Sequence, residues 1–152
     1  NLMIYFSKNK EFSKDLYKHA KEKKDEAVIN YFRRCIELQS YNEWIIIFND
    51  KRIKKSTKAE VANMLINVCI REGWYYKLKE IAKHKELPLK TRKEAKKSIE
   101  KAALEWIKKC ERNNWKELIK DVIKEKYVPY YVKKIAKDVL KKLRQGNNKI
   151  SS

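Results

Sequence analysis

Glycine and proline each occur only twice in this 152-residue chain. Tight β-connections draw heavily on both, so a sheet-rich fold is excluded, while Lys, Glu, Ile, Leu and Ala favour helix in nearly every window. Cysteine is sparse as well: Cys35, Cys69 and Cys110 are odd in number and widely spaced, which argues against a disulfide framework and a paired zinc motif. The two histidines, His19 and His84, sit among lysines and offer neither a zinc set nor a partner for a catalytic nucleophile. No metal and no cofactor are expected. Long apolar runs are missing too: no window reaches a membrane-spanning length, and the opening NLMIYFSKNK is too short in apolar residues for a signal peptide. The expectation is a cytoplasmic chain with no membrane segment and no small-molecule substrate.

What is present in excess is positive charge. Thirty-nine Lys and Arg against 20 Asp and Glu leave a formal net charge of +19, which attracts polyanions and repels like molecules. Ion-pair networks would enrich both signs together, so they do not account for the imbalance. A/T-rich codon usage is the competing explanation, because Lys, Asn, Ile and Tyr are all abundant. The 43% hydrophobic content suffices for a core, and disorder is not expected before the polar tail 145–152.

A repeat organises the second half of the chain. Cys69 and Cys110, Trp74 and Trp115, Pro88 and Pro129, and Ala95 and Ala136 are each 41 positions apart, with Ile81 over Val122, Leu87 over Val128, Arg92 over Lys133 and Ile99 over Leu140. Each unit reads as a helix ended by proline, which also opens a second, longer helix. After Pro88 the stripe is Ala95, Ile99, Ala102, Ala103, Trp106, Ile107 and Cys110; after Pro129 it is Val132, Ile135, Ala136, Val139, Leu140 and Leu143. Upstream, Cys35 and Cys69 are 34 apart, shorter by two helical turns. The pattern predicts four hairpins, at 4–39 (helices 4–23 and 25–39), 42–71 (42–52 and 56–71), 73–111 (73–86 and 88–111) and 113–144 (113–126 and 129–144).

Between Leu78 and Ile99 the pattern L-x-x-I-A followed by L-P-x-x-T-R-x-x-A-x-x-x-I resembles the HEAT and armadillo-like repeats. Arg92 and Lys133 take the basic position of such a repeat, and Ala95 and Ala136 the small one. The resemblance spans residues 74–144 and implies an all-α, right-handed α-solenoid (an α-α superhelix) of about four hairpins. A plain helical bundle is the alternative fold. Helical-repeat DNA alkylation repair glycosylases share this kind of solenoid and imply an enzymatic alternative. Asp121, six residues beyond Trp115, aligns with Glu80, however, and reads as a surface position.

The candidate binding residues follow from the hairpins. Lys51, Arg52, Lys54, Lys55 and Lys58 surround the turn of the second, and Lys83, Lys85, Lys90, Arg92 and Lys93 that of the third. Lys133 and Lys134 lie near the turn of the fourth, with Lys96, Lys97 and Lys137 on the following helices. If the hairpins stack in parallel, these residues form a cationic ridge suited to phosphate backbone, and lysine predominance predicts weak sequence selectivity. The pairs Tyr75-Tyr76 and Tyr130-Tyr131 place adjacent rings about 100° apart, so one of each can pack while the other is free to stack on a base or anchor a protein contact. The expected partner is DNA or RNA; an acidic protein is the alternative.

Overall fold

The computed structural model describes residues 24–151, with side chains from 25 to 146. The expected first helix at 4–23 and its His19 lie outside the described residues. Among those described there are seven helices and no strand: α1 (Lys24–Glu37), α2 (Glu43–Asn49), α3 (Lys55–Glu72), α4 (Tyr75–Lys83), α5 (Leu89–Asn113), α6 (Lys116–Lys124) and α7 (Tyr130–Ser151). None is long and apolar enough to cross a membrane. Helix α7 is assigned through Ser151, past residue 144 where the apolar stripe ends.

The 41-residue period is carried into the backbone. Helices α4 and α6 begin and end 41 positions apart, and α5 and α7 begin 41 apart. Three connections between a short and a long helix share one construction. In residues 50–54, 84–88 and 125–129 the first residue's carbonyl accepts the N–H three positions on, from Ile53 at 3.2 Å, Leu87 at 3.2 Å and Val128 at 3.3 Å. Its side chain also accepts the N–H two positions on: Asp50 Oδ1 from Arg52 at 2.9 Å, His84 Nδ1 from Glu86 at 3.4 Å, and Glu125 Oε1 from Tyr127 at 3.4 Å. A side-chain acceptor here does what a backbone carbonyl does in a β-turn. Pro88 and Pro129 stand immediately before the first residue of α5 and α7, as their fixed φ favours, and Lys54 takes the same place before α3.

The opposite ends of the long helices repeat as well. Gln39, Gly73 and Asn114 take positive φ of 55°, 78° and 57°. The next residue donates back to the carbonyl of a cysteine: Ser40 to Cys35 at 2.8 Å, Trp74 to Cys69 at 2.8 Å, Trp115 to Cys110 at 2.9 Å. Gln39, Gly73 and Asn114 donate in turn to Ile36, Ile70 and Glu111, completing a Schellman cap that satisfies two otherwise orphaned carbonyls.

The chain divides into two compact units. The first comprises residues up to Leu65 together with His84–Thr91; the second comprises Ile66–Lys83 and Arg92–Ser152. In the first, α1 packs on α2, and the core holds Phe32, Phe48, Val61, Leu65 and Leu87, each at most 1% exposed. Burying such a side chain contributes about 1.5–3 kcal/mol. Phe48, Trp44 and His84 meet edge to face, the His84 ring 5.2 Å from Phe48 and 6.2 Å from Trp44. Burial depresses the His84 pKa, and Lys58 adds to the effect against the opposing pull of Glu86. The buried Glu43 accepts a hydrogen bond from Tyr31 Oη at 3.2 Å, and burial holds both groups towards their neutral forms.

In the second unit α6 packs on α7, around Leu78, Ile81, Ile99, Ile107, Ile119, Val122, Val132 and Ala136. Four stripe residues depart from the sequence expectation. Ile135 is exposed, at the place held by the exposed Glu94 one period earlier, and Trp106, Val139 and Leu143 are half-buried, the Trp106 ring 5.9 Å from Trp115. The end of α3 is tied to α5 by Lys109, whose ammonium donates to the Glu72 carbonyl at 2.9 Å and carboxylate at 3.0 Å. That hydrogen bond holds the Glu72 carboxyl below its ordinary pKa.

Candidate polyanion interface

Cations of the first unit divide into committed and uncommitted side chains. Lys58 corrects the sequence reading: it lies one turn into α3 with only 2% of its surface exposed, its stem in the core and Nζ 3.7 Å from Glu86 Oε2. A lysine there is a core residue with a polar tip. Arg52 makes a two-pronged contact with Asp50 at 2.9 and 3.0 Å, which holds the Asp50 carboxyl below its ordinary range, and Lys54 lies 3.8 Å from Asp25. Asp25 also accepts from Thr57 Oγ1, so Lys54 and Thr57 share one carboxylate. Lys51, Lys55 and Lys90 are exposed, with no carboxylate in ion-pair range among the described residues.

In the second unit Lys93, Lys96 and Lys97 project from α5 and Lys134 and Lys137 from α7, all exposed; Arg92 and Lys133 are half-buried. The Arg92 Nε is buried without a hydrogen-bond partner. Lys93 and Lys97 are four apart, as are Lys133 and Lys137, so each pair shares a helix face. Tyr75 is buried edge-on against an exposed Tyr76, the division expected for adjacent helical positions, and burial pushes the Tyr75 phenol up to about 12. Tyr130 and Tyr131 are both exposed, at 77% and 46%.

Three ammonium groups of the second unit gather at a place that the sequence reading does not bring together. Tyr127, the third residue of the 125–129 turn, lies beneath three ammonium groups: Lys79 Nζ and Lys83 Nζ at 5.3 Å from its ring centroid, and Lys96 Nζ at 5.7 Å. Lys79 and Lys83 lie one turn apart on α4, and Lys96 comes from α5. One carboxylate serves the group, Glu125, whose Oε1 is 3.0 Å from Lys79 Nζ. Burial raises the Glu125 pKa, but hydrogen bonds from Lys79 and from the Tyr127 and Lys126 N–H groups outweigh it and leave the carboxyl below its ordinary value. The sequence reading puts Lys83 at the third turn and Lys96 on the following helix, without bringing them together. Lys79 and Tyr127 gave no local signal, because the cluster forms only when α4, α5 and the turn meet.

No family model, curated protein or solved structure matches this chain.

Reactive groups are quiet. Cys35, Cys69 and Cys110 are buried at equivalent helix ends, and burial pushes their thiols up to about 11, 12 and 11, so they stay protonated at neutral pH. Among the described residues no three His, Cys, Asp or Glu side chains converge in a way that could hold a metal ion. Asp121 and Glu80 are both exposed on α6 and α4, at matching positions.

Proposed function

We propose that the chain is a non-enzymatic helical-repeat module of the HEAT and armadillo-like kind, an α-solenoid, that holds the phosphate backbone of nucleic acid on exposed lysines. The observation that carries this reading is the register of the charge. Pairs that are basic at both places of the structural period include Lys79 and Lys120, Lys83 and Lys124, Lys85 and Lys126, Arg92 and Lys133, Lys93 and Lys134, and Lys96 and Lys137. Codon bias raises lysine without regard to position, whereas a backbone-binding surface built from repeats needs cations at matching places. Lys93, Lys97, Lys134 and Lys137 contribute in the second unit and Lys51, Lys55 and Lys90 in the first. Exposed Tyr130 and Tyr131 beside Lys133 and Lys134 supply rings on which bases stack, which favours nucleic acid over an acidic protein.

Lysine attracts phosphate as a point charge and reads no base edge, so affinity should follow strand length and salt more than sequence. The test is equilibrium binding to duplex and single-stranded DNA and RNA across a salt series. The reading expects affinity that falls steeply as salt rises. Affinity absent at low salt, or indifferent to salt, contradicts it, and recovery of an acidic protein from nuclease-treated extract in the absence of such binding would point to the other class of partner.

A further inference from the structure

We infer that Lys83 and Lys96, gathered over Tyr127, form a discrete phosphate-binding site. The three ammonium groups lie 5.3, 5.3 and 5.7 Å from the Tyr127 ring centroid, so at least two of them share one of its two faces. The single carboxylate of the group is spent on Lys79 at 3.0 Å, and no other described carboxylate reaches Lys83 or Lys96 within ion-pair distance. Three positive charges therefore stand around one negative charge, and a tetrahedral oxyanion bound between Lys83 and Lys96 would neutralise the remainder. The platform is fixed from below. The Tyr127 N–H is held by Glu125 Oε1 at 3.4 Å and the following Val128 is buried in the core, so the turn fixes the backbone from which the ring projects. The equivalent places in the two preceding turns carry Arg52 and Glu86, which offer no ring, so among the described residues this cluster belongs to one turn.

The ligand chemistry is a phosphate group, from a nucleic-acid backbone or from a free phosphorylated compound. Its assignment to backbone rests on the proposed function; the site itself does not. The experiment uses the whole chain at low ionic strength and follows the Tyr127 ring resonances by NMR during titration with inorganic pyrophosphate, then with a single-stranded oligonucleotide. Saturable shifts at Tyr127 are expected, weakened at least fivefold in apparent affinity by K83Q/K96Q and changed less than twofold by K101Q/K141Q, which removes the same charge from exposed positions elsewhere. Equal weakening in both variants, or shifts spread evenly over the lysines, overturns the site. Pyrophosphate saturation without any oligonucleotide shift at Tyr127 keeps the site and assigns it to a free phosphorylated ligand. Salt-dependent oligonucleotide binding that K83Q/K96Q leaves intact, with no pyrophosphate response, removes the site and leaves the broader reading standing.

Discussion

Gly73 joins a left-handed φ, which Gln39 and Asn114 share, to a steric constraint of its own. Its φ of 78° lies in the left-handed region, and a Cβ built there would fall 2.7 Å from the Trp106 nitrogen and 2.9 Å from its Cα, backbone atoms that cannot move aside. Gly73→Ala should therefore cost at least about 2 kcal/mol in denaturant unfolding. Gln39 holds the same cap with a side chain in the left-handed region and is exposed, so Gln39→Gly should raise stability by up to about 1 kcal/mol. Equal effects of the two substitutions would refute the distinction. His84 supplies a pH dependence. Its Nδ1 accepts the Glu86 N–H and its ring lies between Trp44 and Phe48, so the neutral form is favoured and the folded pKa is depressed, with Lys58 and Glu86 the charged groups acting on it. The unfolded chain then binds more protons as pH falls, and the contribution of His84 is complete above about pH 6.5 and lost as pH drops from there through the folded pKa. The stability difference between wild type and His84→Phe should shrink between pH 7 and 5; parallel curves would contradict the assignment.

At the scale of elements, the connection before each long helix is conserved in geometry and not in residue type. Asp50, His84 and Glu125 all present an acceptor to the N–H two positions on, yet no shared residue type announces that role. The helices of the second half are legible because Cys, Trp and Pro recur at a fixed interval and apolar residues follow helical spacing; α4 to α6 fall within a few positions of the expected limits, and α7 begins at its expected place but runs on to Ser151. What stayed hidden depended on tertiary surroundings. Lys58 reads as a surface cation from its neighbours, but α3 turns it inward towards Glu86, and Ile135 reads as core although its place is solvent-facing. The Lys58 pair makes a prediction of its own. Lys58→Met retains the buried stem and removes the charge, so stability should stay within about 1 kcal/mol. Glu86→Gln leaves an ammonium in the core, and should cost about 1–2 kcal/mol, moderated by the 46% exposure of the Glu86 side chain. A larger loss from Lys58→Met than from Glu86→Gln would show that the ion pair itself holds the turn.

For the molecule as a whole, a net charge of +19 makes electrostatics the governing term in association. Arg52, Lys54, Lys58 and Lys79 are engaged with carboxylates, so the charge available to a partner is smaller than the formal total and concentrated on particular helix faces. Surface pairs of this kind contribute little to stability, about 0–1 kcal/mol each, and replacing exposed lysines should leave the fold intact. The proposed affinity for nucleic acid can therefore be tested separately from folding. The most direct measurement is the slope of log affinity against log salt for duplex DNA, compared between wild type and the variant K93Q/K97Q/K134Q/K137Q. Each phosphate contact contributes about 0.9 to that slope, so the variant should be shallower by about 3 to 4 with an unchanged helical spectrum. A slope identical in the two proteins, or a wild type whose binding ignores salt, would contradict the account.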